Sequence, residues 1–375
     1  MIKRSYFFLL FFIHHCYAET LIINGATQIN THVVYQNVTL DMSHGYFIIA
    51  PSGYLEIKDS QINGTIFPDN FYLFNIEGGL RFENNILHLN SVNIIPQPNN
   101  ITNYFLFHIT RGMAKIENNH FFMETPYTVG FFLTDEKYKT THLFYHNIIS
   151  QFHGGIFLAN SDNTIIKKNT FIKVSLSNIL NIKCHNSVLE KNKFLFSGYH
   201  TVGDAIDIFQ SDAVNIKNNF INSGYCYSIV ISDSKNLVIE QNQILGGITY
   251  GISIEPFSYV YNRFVDLFTR WHVSLEHINQ NENIKIQNNY LAQNRYGITA
   301  TNVTGLTVMN NVFIQKFGSA SDRKFWTNNE ILLNNVTQLL WENNKYKEAF
   351  SQDISDSNKD AFQFVLFPST GGVQL

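Results

Sequence analysis

The stretch Leu237–Ile244 reads LVIEQNQI, and its spacing decides the fold of this chain. Ile239 stands three positions before Asn242, and Ile244 stands two positions after it. The same arrangement, apolar–x–x–Asn–x–apolar, recurs ten times, in segments such as IKKNTF and IQNNYL. The ten asparagines are Asn85, Asn119, Asn147, Asn169, Asn192, Asn219, Asn242, Asn289, Asn311 and Asn344. Because both flanking positions are apolar in every copy, the pattern is a repeat and not an excess of polar loop residues.

The spacing of these asparagines indicates a coiled architecture. Successive members lie 22 to 47 residues apart, and four of the nine steps are 22 or 23 residues. A unit of that length with short β-branched runs and no helical period is typical of one coil of a parallel β-helix. Neighbouring coils would pair their strands about 4.8 Å apart. Each Asn amide would then bond to the next Asn in an internal ladder.

The longest step, from Asn242 to Asn289, contains one further match to the pattern. Residues 259–264 read YVYNRF and place Asn262 in the repeat position, which divides the 47 residues into 20 and 27. We therefore predict that this segment is one more coil and not an insertion.

The N-terminus has the pattern of an export signal. Lys3 and Arg4 precede a short apolar run at 5–13, and Cys16-Tyr17-Ala18 suits cleavage after residue 18. The run is too short to span a bilayer, although an uncleaved anchor is the alternative. We predict residues 1–18 as a signal peptide, a secreted or periplasmic protein, and no transmembrane segment after cleavage. Losing two basic residues takes the net charge from -3 to -5, which disfavours nucleic acid as a partner.

The remaining chain has no linker that would divide it into globular domains. We predict an N-terminal cap with first irregular coils over 19–80, the β-helix over 81–347 and a C-terminal capping tail over 348–375, with a disordered tail as the alternative. Cys184 and Cys226 fall two coils apart in different columns, beyond the roughly 7 Å reach of a disulfide. Both are predicted to be free, largely buried thiols.

A second strand precedes the Asn turn in each coil, and its alternate residues are predicted to face outward. One outward column is Phe157, Leu180, Asp207, Val230, Ser253, Ser274 and Thr299. The next is Ala159, Ile182, Phe209, Ser232, Glu255, Glu276 and Thr301. The face is apolar at Phe157 and Leu180, which predicts cover by a loop or by a partner protein. From Asp207 onward it becomes polar and acidic.

The acidic part of this face supplies the candidate catalytic residues. Glu255 and Glu276 are predicted to lie on adjacent coils, where two carboxylates repel unless they share a proton, a cation or a substrate. Arg270, His272 and Arg295 stand just before the same strands. The candidate catalytic residues are Asp207, Glu255, Glu276, His272 and Arg270. The alternative is that the acids are solvated surface groups paired with the arginines.

Aromatic residues form another column at the coil corner. Tyr227, Tyr250, Trp271 and Tyr296 lie two positions before the strand anchors. They fit a structural ladder of stacked rings, or flat faces that bind sugar rings together with Arg295. Both interpretations stay open at this point.

The Asn-centred coils resemble the right-handed parallel β-helix repeats of pectate lyase-like proteins and of NosD-type periplasmic proteins, over about residues 80–346. The resemblance implies an all-β fold, a right-handed parallel β-helix (solenoid) of about ten or more coils of 22–23 residues. Members include lyases, hydrolases and C5-epimerases that bind acidic polysaccharides in a groove along one outer sheet. The Asn-Thr-Asp and Gly-His-Gly elements of polygalacturonases and the Asp-Pro-His-Asp element of mannuronan epimerases are absent, so no catalytic residue transfers. A copper role like that of NosD would require clustered Met and His, and only five Met occur.

Two functions remain from these patterns. One is an exported enzyme acting on a uronate-containing polysaccharide, as a lyase or C5-epimerase more than as a hydrolase, without a certain cofactor or with a Ca²⁺ that replaces the arginines. The other is a non-catalytic β-helix that binds glycan in the same groove, or a protein partner at the Phe157/Leu180 apolar patch.

Overall fold

The computed structural model describes residues 19–67, 71–91, 104–125, 128–134, 140–197, 203–223, 227–245, 250–256, 273, 275–276, 279–292, 294–316, 330–349 and 367–368. The strands are β1 Thr20–Ile29, β2 His32–Gln36, β3 Thr39–Ile49, β4 Tyr54–Lys58, β5 Gln61–Ile66, β6 Tyr72–Ile76, β7 Gly79–Glu83, β8 Ile86–Ser91, β9 Phe105–Ile109, β10 Ala114–Glu117, β11 His120–Met123, β12 Val129–Thr134, β13 Leu143–Tyr145, β14 Ile148–Ser150, β15 Gly154–Ala159, β16 Ile165–Lys167, β17 Thr170–Ile172, β18 Ile179–Ile182, β19 Val188–Glu190, β20 Lys193–Ser197, β21 Ile206–Phe209, β22 Asn215–Lys217, β23 Phe220–Ser223, β24 Ile229–Ser232, β25 Lys235–Glu240, β26 Gln243–Leu245, β27 Tyr250–Ile254, β28 Asn281–Gln287, β29 Tyr290–Ala292, β30 Tyr296–Met309, β31 Val312–Lys316, β32 Glu330–Thr337, β33 Leu340–Glu342, β34 Lys345–Ala349 and β35 Phe367–Pro368.

Each coil contributes three short strands, as β15, β16 and β17 do. Strand β15 pairs in parallel with β12 and β18, β16 with β13 and β19, and β17 with β14 and β20. We call the three resulting stacks sheet 1, sheet 2 and sheet 3, in the order in which the chain meets them. The longer strands β30 and β32 pass from sheet 1 into sheet 2 within one element. The predicted right-handed parallel β-helix is confirmed.

The internal asparagine ladder is present from Asn85 to Asn344. At each of the nine steps the backbone N–H of one Asn donates to the side-chain Oδ1 of the next, at 2.9–3.0 Å. All ten side chains lie at the turn between sheet 2 and sheet 3. The prediction from the repeat is therefore confirmed for these ten positions.

Asn262 is not a rung of this ladder, and the prediction that its segment is one more coil was wrong. The N–H of Asn242 donates directly to Asn289 at 2.9 Å, and β25 pairs with β28. On the other side of the coil, Ile252 pairs with Ile298. The 47-residue step is thus a single coil with an insertion after residue 256. Asn262 itself lies outside the described residues, and a six-residue match in an Asn-rich chain was too short to identify a coil.

The residue before each ladder Asn turns the chain into the ladder position. All ten of these residues adopt a left-handed backbone, with φ between 53° and 58°. Asn tolerates this conformation better than other residues that carry a Cβ. Asn occupies six of the ten positions, which explains the repeated Asn-Asn pairs: the first turns the backbone and the second enters the ladder.

The interior is filled by one apolar column after another. Stacked rings fill the first coils, with centroids 4.5 Å apart for Phe74 and Phe107 and 4.9 Å apart for Phe107 and Phe131. Isoleucines fill the equivalent positions from Ile156 onward. Cys184 is a free, fully buried thiol as predicted, and its burial raises its pKa to about 12. Cys226 lies outside the described residues.

Candidate functional site

The outer face of sheet 1 has the predicted register at its first outward column. The paired residues, coil by coil, are Phe132, Phe157, Leu180, Asp207, Val230, Ser253, Thr299 and Leu332. Thr299 replaces Ser274 as the neighbour of Ser253, because β27 pairs directly with β30. The face therefore has an apolar half from Phe132 to Val230 and a polar half from Ser253 onward.

The apolar half is covered by the protein itself. Phe132, Phe157 and Leu180 are 0 % exposed, and they belong to a cluster of their own on the outside of the coil. Val273 and Leu275 from the inserted segment pack against this cluster. In this structure the Phe157/Leu180 patch is therefore covered by a loop of the chain itself, which is one of the two kinds of cover predicted from the sequence.

Asp207 has the predicted register but not the predicted accessibility. It is 0 % exposed and stands between Leu180 and Val230 in the covered half of the face. A polysaccharide in solvent does not reach this carboxylate in the observed conformation. The catalytic role of Asp207 stays a prediction, and in this structure its carboxylate lies beneath the cover of the outer face.

Glu276 does not neighbour Glu255, so the predicted carboxylate pair is wrong. The backbone of Glu276 is held by the side chain of Gln210: its N–H donates to Gln210 Oε1 at 3.2 Å, and Gln210 Nε2 donates to its carbonyl. Gln210 directly follows β21, two coils before the coil of Glu255. Two coil steps therefore separate Gln210, and the Glu276 backbone bound to it, from Glu255 by roughly 10 Å along the axis of the β-helix. Glu276 does not pair with Glu255 because Val273, which the sequence alignment treats as the inward residue of a coil strand, packs in the outer apolar cluster instead.

The tyrosines of the corner column stack on one another. The ring centroids of Tyr227 and Tyr250 are 4.6 Å apart at an interplanar angle of 7°, and those of Tyr250 and Tyr296 are 5.0 Å apart at 20°. The Arg295 guanidinium lies 5.2 Å from the Tyr296 centroid. Tyr250 and Tyr296 are therefore direct neighbours in the stack, whereas the sequence column had Trp271 between them. Trp271, Arg270 and His272 lie outside the described residues.

A cavity of about 550 Å³ lies along the last three coils of sheet 1, where its lining combines outward residues with the inward side chains Ile254, Ile331, Leu333 and Trp341. Its polar lining comes from Ser253, Glu255, Thr299, Thr301 and Asn334, and Tyr250 supplies an aromatic wall. The Thr299 hydroxyl donates to Ser253 Oγ at 3.0 Å. Among the described residues that line the cavity, Glu255 carries the one carboxylate. Such a volume is within the range of ligand sites, about 300–1,000 Å³.

The lining residues after β30 were missed by sequence reasoning: Ile331, Leu332, Leu333, Asn334 and Trp341. Leu332 and Asn334 belong to β32, and Trp341 follows at the start of the next sheet. The available signal was the ladder itself, because Trp341 occupies the apolar position three residues before Asn344. Counting back one strand from it would have placed ILLNN, residues 331–335, on sheet 1.

Comparisons with known proteins support the fold. Residues 114–266 match the family model described as periplasmic copper-binding protein (NosD), which is less than half of the chain. A mutant of the periplasmic alginate epimerase AlgG is similar at 12 % identity, with a TM-score of 0.53 over 87 % of this chain and 85 % of that one. A PL6 alginate lyase bound to a trisaccharide gives 0.48 at 13 % identity, over 88 % and 79 %. The mannuronan C-5 epimerase AlgE4 A-module of Azotobacter vinelandii gives 0.43 at 9 % identity, over 88 % and 91 %.

At these identities the likeness shows the fold alone. No curated protein matches the chain. Copper sites draw on Cys, Met and His ligands. The described residues contain no group of three or more His, Cys, Asp or Glu side chains placed to hold a metal ion, so they do not fit the copper in the matched family's description. Among the described residues, no helix is long and apolar enough to cross a membrane.

Proposed function

We propose that this right-handed parallel β-helix repeat protein is an exported carbohydrate-active protein that acts on a uronate-containing polysaccharide, as a lyase or C5-epimerase in preference to a hydrolase. The observation that carries the proposal is the cavity along the last three coils of sheet 1, whose lining includes Glu255, Tyr250 and several hydroxyl and amide side chains. The periplasmic alginate epimerase AlgG shares this fold. The export pattern at residues 1–18 agrees with that location.

The lining suits a sugar acid. Tyr250 lines the cavity, and because Tyr227 and Tyr296 cover both faces of its ring, it can offer a sugar its ring edge or its phenol. Tyr227 and Tyr296 extend the same stack on either side. Ser253, Thr299, Thr301 and Asn334 offer hydrogen bonds to ring hydroxyls. Arg295 is exposed beside Tyr296, and it is the described basic residue nearest in sequence to the tyrosine stack. Its guanidinium would pair with a uronate carboxylate.

The single carboxylate of the described lining favours proton abstraction over hydrolysis. Lyases and epimerases remove the C5 proton of a uronate, which requires a base, a neutralised substrate carboxylate and an acid. Glu255 would act as the base, the Tyr250 phenol as the proton donor, and Arg295 would neutralise the carboxylate, a task that a bound Ca²⁺ also performs. Glycoside hydrolysis usually uses two carboxyl groups flanking the bond, about 5–9.5 Å apart. Arg270 and His272 stay candidates for assisting roles because they lie within three positions before Val273 in the sequence.

The test compares Glu255→Gln with Glu282→Gln, a matched change at an exposed residue on sheet 2. Each protein is incubated in D₂O with alginate, pectin or glycosaminoglycans. Ultraviolet absorbance detects unsaturated uronates, and NMR detects deuterium at C5. We expect turnover with the wild type and Glu282→Gln, and a loss of roughly 10²–10⁴-fold with Glu255→Gln. Unchanged turnover in Glu255→Gln would contradict the role of Glu255.

A non-catalytic glycan-binding protein is the second candidate. It is favoured by the separation of the predicted acids, since Asp207 is buried and Glu276 lies beside Gln210. In that case the same panel would show polymer binding by both the wild type and Glu255→Gln, with no unsaturated product and no deuterium at C5.

A further inference from the structure

We infer that the site receives the end of a polyuronate chain and not an internal stretch of the polymer. This inference rests on the proposed function and concerns how that same site meets its substrate. It follows from where the accessible part of sheet 1 begins.

The open surface ends abruptly toward the N-terminal coils. In the second outward column, Ser232 is 0 % exposed, whereas Glu255 on the next coil is half-exposed. In the first column, Val230 packs in the covered apolar cluster, and both Val230 and Ser253 are 1 % exposed, while Thr299 is half-exposed. The boundary therefore lies between the coils of β24 and β27 in the second column, and between the coils of β27 and β30 in the first.

A wall stands at this boundary. Val273 and Leu275 lie on the apolar cluster formed in part by Leu180, Phe209 and Val230. The backbone that carries them is fixed to an earlier coil by the two hydrogen bonds between Glu276 and Gln210. Tyr227, the first ring of the tyrosine stack, also packs against the cluster. A polysaccharide lying along sheet 1 would meet this cover immediately beyond Glu255.

The accessible length of the site is short. Its outward residues come from three coils, those of β27, β30 and β32. Two coil steps correspond to about 10 Å of axis. A cavity of about 550 Å³ over this length suits a short oligosaccharide end.

The consequence concerns the mode of action. A protein that acts inside a polymer needs a cleft that the chain enters on one side and leaves on the other. Here one side is closed by the protein, and Glu255 is the first accessible acidic position next to the closed side. We therefore expect action within a few sugar units of a chain end, with small products.

Binding to oligouronates of defined length tests this inference. Dimers, trimers, tetramers, hexamers and octamers are titrated into Glu255→Gln, which slows turnover, and into Glu282→Gln at low temperature. We expect affinity to rise from dimer to trimer or tetramer and then to change by less than about threefold, because further units lie outside the site. We also expect one protein molecule per chain at saturation on a long polymer, measured by sedimentation.

The two possible failures are distinguishable. Several protein molecules bound along one polymer chain, or affinity that keeps increasing to the octamer, would overturn the chain-end inference and leave the proposed function standing. Absence of binding to every uronate, short or long, would instead overturn the proposed function, and the chain-end inference with it.

Discussion

At the scale of single residues, buried histidines give this protein a defined response to acid. His153 is 8 % exposed at the corner that leads into sheet 1, and burial lowers its pKa from 6.5 to about 4. Burial lowers the pKa of His108, on the outer face of the same sheet, to about 4 as well. Both side chains are therefore neutral in the folded protein at pH 5, whereas the same side chains in the unfolded chain are protonated.

We predict that the free energy of unfolding falls as the pH is lowered from 6.5 to 4. In this window the unfolded state binds more protons than the folded state, so acid favours unfolding. Each histidine contributes up to about 3 kcal/mol, from a pKa difference of about 2.5. Urea unfolding at several pH values measures the slope. His153→Gln should flatten it by up to one proton, and the exposed His120→Gln should not; equal slopes in all three proteins would contradict the prediction.

At the scale of the coil, each ladder asparagine from Asn119 to Asn311 uses its whole amide. Asn242 Oδ1 accepts from the backbone N–H and from Nδ2 of Asn219, at 2.9 and 3.0 Å. Its own Nδ2 donates to the Ile216 carbonyl at 2.9 Å and to Asn289 Oδ1 at 3.0 Å. All four bonds are buried, where an unpaired polar group is costly. The side-chain amide of Asn242 therefore links its own coil to the coils of Asn219 and Asn289.

We predict that Asn242→Ala destabilises the protein strongly and Asn262→Ala does not. The first change leaves the Asn219 N–H and the Ile216 carbonyl without their buried partner, at about 1–3 kcal/mol each. Asn262→Ala changes a residue that matches the repeat but is not part of the ladder, because Asn242 bonds directly to Asn289. Midpoints of chemical denaturation compare the two. A larger loss for Asn262→Ala than for Asn242→Ala would show that the long step holds a true coil.

The same contrast shows how far the sequence predicts a coil. The ladder positions and the first outward column were predictable as far as Ser253, because strand alternation and coil pairing act over short distances. Asn262, Ser274 and Glu276 were misplaced, because a short pattern cannot distinguish a paired strand from an inserted segment that folds over the outer face. The pair Glu255 and Glu276 was lost with that error, whereas the stack of Tyr227, Tyr250 and Tyr296 survived it.

At the scale of the whole molecule, the last coil leaves its interior incompletely covered. Ile331, Leu333 and Trp341 point inward above Ile298, Ala300 and Val308, yet they are only half-buried, whereas the residues below them are nearly inaccessible. Of the following tail, β35 pairs antiparallel with β34 through Phe367 and Glu348. We propose that residues 348–375 cap this end, as the apolar run at 362–367 suggested from sequence.

We predict that a chain ending at residue 349 has a lower unfolding midpoint and binds a hydrophobic dye, because the half-buried side chains of the last coil lose their cover. A chain that lacks only residues 371–375 is the matched control and should behave as the full protein does. Thermal unfolding and dye fluorescence provide the measurements. Identical behaviour of all three proteins would remove the capping role from the tail.

The ladder bonds connect each coil only to its immediate neighbours. Mutations that duplicate or delete a repeat unit can therefore change the length of the molecule. Copying one unit, such as residues 170–192, adds a rung whose Asn meets the same donor and acceptor above and below. Tandem duplication or loss of single units would then shift one end of the rod against the other by roughly 4.8 Å per event. The length of the β-helix would thus change by whole coils, each of which carries one ladder asparagine.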